Sequence, residues 1–176
     1  MKHQTVPRRL ALCALTASAA VLLGYVEFLV PVVPPIAGIK LGLGNLAVLL
    51  ALRRMGGLRA AVAVMAVKIV VCAALFAGMG TLPYSLAGGG AALAVMTAVQ
   101  RFSDRTRLSA AGVSAAGGAA HMAAQTATAV LVTGSPAVWR LLPPLLAVGT
   151  LTGLVNGCLV NGIERRAGRY FILLSG

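Results

Sequence analysis

The sequence predicts an all-α membrane protein of six transmembrane helices, the second one short, with both termini in the cytoplasm. Three observations carry that expectation. Hydrophobic residues make up 59% of the 176 and charged residues only 10%, at a mean hydropathy of +0.93, where an ordinary soluble domain has about 25% charged residues. The apolar residues fall in long runs interrupted by short basic or Gly/Pro segments. The basic residues alternate between connectors, as the orientation signal of a polytopic protein does.

The first run, about 10–30, is long enough to span and ends at Pro31, Pro34 and Pro35. Ala17-Ser18-Ala19 resembles a signal-peptide cleavage site, but removing this run would break the charge alternation, so it is expected to remain as a helix. The second, about 41–52, gives roughly 18 Å of helix at 1.5 Å per residue, less than a hydrocarbon core. Runs at about 58–79, 82–99, 108–132 and 139–163 complete a single integral membrane domain over 1–176. Gly, Ala and Ser pervade the first, fourth and fifth runs. Small residues four apart at Cys13/Ala17, Ala14/Ser18 and Thr16/Ala20 suit either close internal packing or a docking face for another membrane subunit.

Six spans place Lys2, Arg8 and Arg9, then Arg53, Arg54 and Arg59, then Arg101, Arg105 and Arg107, then Arg165, Arg166 and Arg169 on one side. That is twelve of the fifteen basic residues. Lys40 and Arg140 face the other side, and an odd number of spans would scramble the pattern. Asp104 and Glu164 read as local partners of neighbouring arginines. The net charge of +12 does not point to nucleic acid, because the charges sit in connectors and aromatics are 5% of the chain. Cys13, Cys72 and Cys158 all lie in apolar runs without a CxxC spacing, so they read as small buried hydrophobes, with neither a disulfide framework nor a metal site.

Few polar side chains remain inside the runs, and these are the candidate binding residues. Lys68 is central in the third run, where a lysine costs about 2.5–3.5 kcal/mol on insertion scales. Glu27 is the acid outside the cytoplasmic connectors. Two readings stand for them: a structural ion pair between helices, or a cationic site for an anionic ligand. Ahead of the short helix, Gly38, Gly42 and Gly44 allow close backbone approach. Lys40 adds charge where that helix begins, and Asn45 adds a donor and an acceptor one turn on. A helix start of this kind presents free N–H groups and the positive end of its dipole; the alternative is a proline-broken connector whose lysine reaches outward. His121 and Gln125 share a face at i, i+4. One shared polar cavity would satisfy several of these groups at once. Asn156 and Asn161 are read as interhelical hydrogen-bonders.

The segments VEFLVP, KLGLGNLAVLLAL, KIVVCAALFAG, YSLAGGGAALAVM and AHMAAQ, in that order along the chain, resemble the Gx transporter family, also labelled heptaprenyl diphosphate synthase component I, over roughly residues 10–163. That family is in turn similar to the S components of energy-coupling-factor (ECF) transporters. The resemblance implies six helices, a vitamin-like solute bound near the outer face, and docking on an integral coupling subunit driven by ATPases. It adds Tyr84, from the Tyr-Ser-Leu-Ala-Gly segment, to the candidate substrate-binding residues. It also implies an arginine in many relatives where Lys68 stands.

Enzymatic chemistry by the chain itself is not expected. Prenyl diphosphate synthesis needs Asp-rich motifs that hold Mg²⁺ against diphosphate, and Asp104 is the one aspartate. No catalytic triad is evident, no cofactor is implied, and the absence of GxxxxGK[ST] assigns any ATP drive to another chain. The expected function is an S-component-like subunit for uptake of a small anionic solute, in the bacterial cytoplasmic membrane and in contact with lipid. The second reading is a membrane subunit of a prenyl/quinone or flavin-linked redox system. A stand-alone secondary transporter is weakened by the lack of an internal inverted repeat.

Overall fold

The computed structural model describes residues 6–29, 40, 42–55, 57–106 and 109–174, with side chains described for 10–102 and 109–166 within those stretches. Lys2, the cluster Pro31, Pro34 and Pro35, Gly38, Leu41 and Arg107 lie outside the described residues. So do the side chains of Arg8, Arg9, Asp104, Arg105 and Arg169.

The described residues form six α-helices and no strand: α1 (Val6–Leu29), α2 (Asn45–Arg54), α3 (Leu58–Cys72), α4 (Leu82–Thr106), α5 (Ala110–Thr133) and α6 (Leu142–Leu174). A π-helical turn, Ala73–Ala77, continues α3, and 3₁₀ turns precede α4 and α6. The boundaries follow local chemistry. Gly78, at φ +80°, stops the π turn in a conformation that L side chains rarely adopt. The Ser109 hydroxyl caps α5 by accepting the Gly112 N–H at 3.4 Å, and Gly134, at φ +64°, closes its other end. Pro143 and Pro144 fall in the first turn of α6, where the N–H groups they lack have no helical partner.

Several boundaries differ from those expected, among them the start of α1, at Val6 rather than about 10. α2 begins at Asn45 rather than near 41, because residues 42–44 form a tight turn; Lys40 therefore precedes the helix instead of starting it. α4 and α6 run past 99 and 163 to Thr106 and Leu174. A helix does not stop where its apolar run stops, since Arg, Ala and Glu are good helix formers.

Four stretches among the described residues are long and apolar enough to cross a membrane: Leu10–Leu29, Leu58–Ala77, Met79–Phe102 and Pro136–Arg166. The outer surface fits that environment. Leu75 is 72% exposed and Leu131 83%, with Leu22, Val70 and Leu151 also outward, a dispersal of large apolar side chains that suits lipid rather than water. α5 is packed along α4 on one side and α6 on the other, so its Ala, Gly and Thr residues meet protein. The hydroxyls of Thr126, Thr128 and Thr133 bond back to carbonyls four residues earlier, which satisfies them without water.

α2 is short because it is wrapped by protein. It touches α1, α3, α4 and α6, and Val48, Leu49 and Ala51 are almost wholly buried. They form the main apolar cluster with Ala17, Ala20, Val64, Met96, Val113 and Val160. At the end of α2, Arg53 and Arg54 both reach Glu164 on α6, at 3.0 Å each. The acid is thus paired across the bundle rather than with the arginines next to it in sequence.

The small-residue pairs of α1 divide. Thr16, Ala17 and Ala20 are buried in the bundle, whereas Ala14 and Ser18 are exposed. Cys13/Ala17 and Thr16/Ala20 are internal packing, and Ala14/Ser18 is the pair that faces outward.

Candidate functional site

The polar side chains that the apolar runs carry come together around the turn before α2. That turn is built by hydrogen bonds from Asn45 N–H to Gly42 O (2.9 Å) and from Leu46 N–H to Leu43 O (3.0 Å). Gly42 sits at φ +84°, which excludes most side chains. Gly44 makes room of a different kind: a Cβ there would collide with the Lys68 side chain at Nζ and Cε and displace it from its present position. Two other helices hold the turn. From α1, Glu27 accepts the Leu43 N–H through Oε1. From α6, the Asn156 side-chain amide donates to Gly42 O at 3.1 Å.

Glu27 Oε2 lies 3.5 Å from Lys68 Nζ, an ion pair that makes no hydrogen bond at that oxygen. Glu27 is 3% exposed. α5 supplies the opposite wall. The Asn45 amide nitrogen lies 3.3 Å from His121 Nδ1; in the tautomer where the amide donates and Nδ1 accepts, the imidazole proton falls on Nε2. Gln125, one turn further, accepts the Lys40 backbone N–H through Oε1 at 3.0 Å. His121 Nε2, Gln125 Nε2 and Asn156 Oδ1 are buried without a hydrogen-bond partner.

Glu27, Lys40, Asn45, Lys68, His121 and Gln125 line one cavity of about 20 Å³, enough for one or two waters. Gly42 and Gly44 do not line it, but a Cβ at Gly42 would meet Asn45 and His121, and one at Gly44 would meet Lys68, all of which do. Tyr84 does not line it: it packs with Met122, Ala129, Val138 and Leu145 in a second apolar cluster. The next residue, Ser85, lines the cavity instead, because adjacent helical positions point about 100° apart.

Gly24, Met65, Ile69, Cys72 and Gly89 also line the cavity, and the sequence reading had not singled them out for it. Gly89 could have been suspected from the GGG of α4, whereas Gly24 on α1 carried no such signal. A Cβ at Gly88 would lie 2.8 Å from Gln125 Cγ and 2.9 Å from His121 Cε1, so this glycine admits the polar face of α5. Of the three cysteines expected to be buried, Cys72 is, whereas Cys13 is half-buried and Cys158 faces outward from α6; a Cβ at Gly24 would meet the Cys72 Sγ at 2.7 Å. Met65 and Ile69 carried no signal beyond ordinary core composition. Among the described residues no group of His, Cys, Asp and Glu is arranged to hold a metal.

Fold and site define a helical membrane protein with a small polar cavity enclosed in an apolar bundle. A family model for heptaprenyl diphosphate synthase component I matches residues 15–163, and the chain belongs to that family. No curated protein and no solved structure matches it significantly.

Proposed function

We propose that the chain is the solute-binding membrane subunit of an uptake system, similar to an S component, that it takes a small anionic solute, and that it performs no chemistry of its own. The observation that supports this is the cavity itself. It gathers two lysines, one carboxylate and two unpartnered N–H donors in apolar surroundings, where buried unpaired polar groups cost about 1–3 kcal/mol each. A bound anion would recover that cost. A solute larger than water needs the flexible Lys40 and Lys68 side chains to swing aside. Native mass spectrometry of the purified protein tests the reading: a retained small anion, or co-purification of an integral subunit with ATPases, supports it. The family description favours a second reading, a non-catalytic component of a prenyl diphosphate synthase. Under that reading prenyl-handling or flavin-bearing partners co-purify instead.

In the uptake reading the chain crosses the bacterial cytoplasmic membrane six times, the short α2 making one crossing together with the residues before it, and both termini are cytoplasmic. The pairing of Arg53 and Arg54 with Glu164 fits this, since it sets the end of α2 beside the stretch of α6 that precedes Arg165 and Arg166. Cysteines introduced at Gly56 and Asp104 are expected to label from the cytoplasm, and at Gly80 and Ser135 from outside. Labelling of position 104 from outside would exclude the topology.

The coupling subunit is expected to dock on the outward face of α1. Ala14→Trp should abolish co-purification while leaving the protein folded, and an intact complex would remove this face from consideration. Ala17→Trp is not an equivalent test: Ala17 is 7% exposed and packed in the bundle, so overpacking would unfold the protein before docking was read.

A further inference from the structure

The charges and hydrogen bonds of the cavity restrict the anion further than its sign. Counting histidine as neutral, Lys40 and Lys68 bring two positive charges and Glu27 one negative charge. Glu27 is already committed, with Oε1 on the Leu43 N–H and Oε2 beside Lys68 Nζ. Lys40 makes no salt bridge among the described residues; Glu27 acts on it only at longer range, its carboxylate lying against Lys68. The unused groups of the two α5 side chains are both donors, His121 Nε2 and Gln125 Nε2. These residues are 4% and 1% exposed.

We propose that the ligand group is a single carboxylate on a small solute, lying between the Lys40 ammonium and the free N–H groups of His121 and Gln125, with its short apolar part against Met65 and Ile69. This rests on the uptake reading above and names its substrate class. One carboxylate completes a neutral set of two ammonium groups and two carboxylates. Its two oxygens offer about four acceptor sites, matched to the unused donors. A phosphate monoester carries about −1.5 to −2, and a diphosphate carries more. Either would leave unbalanced negative charge in a low-dielectric place and force more oxygens against Glu27. The diphosphate that the family description brings to mind is therefore the wrong anion for this cavity.

The test uses the full-length chain in lipid nanodiscs, with thermal unfolding and calorimetric titration against propanoate, propanamide, inorganic phosphate and pyrophosphate. Propanoate is expected to bind and to raise the melting temperature, with a rise that grows with the logarithm of its concentration above Kd. Propanamide, the uncharged isostere, should do neither, and pyrophosphate should bind more weakly than propanoate. Lys40→Met should weaken propanoate binding at least about tenfold, the loss of one charged hydrogen bond, and Lys40→Arg should restore most of it. The fold is not at risk in these variants, because Gln125 holds the backbone N–H of Lys40 and not its side chain. Phosphate or pyrophosphate binding tighter than propanoate, and weakened by Lys40→Met, overturns the carboxylate while leaving the anion site standing. Propanoate binding that ignores Lys40→Met, or that propanamide equals, overturns the carboxylate site as well. No binding by any of the three anions overturns both this inference and the anionic-solute reading.

Discussion

Lys68→Met is expected to destabilise the folded protein by about 3–5 kcal/mol, the cost of leaving a buried charge without its partner. The stranded group is Glu27, whose Oε2 faces Lys68 Nζ at 3.5 Å in apolar surroundings. Glu27→Gln alone should also destabilise, by stranding the lysine. The double variant should recover most of the loss, because it buries no charge and the amide oxygen of the substituted side chain can still accept the Leu43 N–H that Glu27 accepts. Denaturant unfolding of the four proteins gives the coupling energy. Additive losses would show that the two groups act independently and that the pair is not structural. Solute binding separates the remaining roles. A stable double variant that no longer binds solute assigns Lys68 to the ligand as well as to the pair. A stable double variant with normal binding makes Lys68 purely structural.

Gly149→Ala on α6 is expected to cost about 1–3 kcal/mol, and Gly149→Leu to prevent folding. α5 and α6 touch backbone to backbone along Gly149, Gly153 and Gly157, spaced four apart. A Cβ at Gly149 would lie 2.6 Å from Gly118 O, at Gly153 2.8 Å from Ala115 Cα, and at Gly157 2.7 Å from Ala111 N. Beside Gly149 the Met122 side chain is also in the way, but the other obstacles are backbone atoms that cannot rotate away, so the helices must separate. In a bilayer this close approach is itself a main source of helix association, since lipid is as apolar as the side chains. Separation also moves α5, which carries His121 and Gln125, so ligand binding should weaken along with stability. Gly162→Ala is the control. Nothing lies within 4 Å of a Cβ there, so the better helix propensity of alanine should leave this variant unchanged or more stable, by up to about 1 kcal/mol. Equal effects at Gly149 and Gly162 would mean that the tight α5–α6 contact does not hold the bundle together.

Much of this molecule was legible before folding was considered. Lys68, Glu27, His121 and Gln125 stand out because each is polar in an apolar run, and burial in lipid or in a bundle forces such groups toward partners. The same cost argument anticipated that they would share a cavity. It did not extend to Tyr84, which was chosen through a motif. Its hydroxyl makes it look polar, yet its ring is absorbed by Met122, Val138 and Leu145, and Ser85 takes the cavity-facing position. The glycines of α6 were also passed over. Glycine is common in this chain, with 21 residues, and spacing alone cannot tell a contact such as Gly149 from an open position such as Gly162.

By itself the sequence determined the class of protein, the helical segments and the short list of polar residues inside them, because composition and periodicity are local and the apolar solvent acts on each run separately. The tertiary structure decided the pairings. It set Glu27 against both Lys68 and the turn before α2, Glu164 against arginines 110 and 111 residues away, and Asn156 against Gly42. It also sent Ala17 inward and Ala14 outward. A partner across the bundle depends on how helices rotate and cross, and those angles are set by the summed packing of all six helices, to which no single segment holds the key.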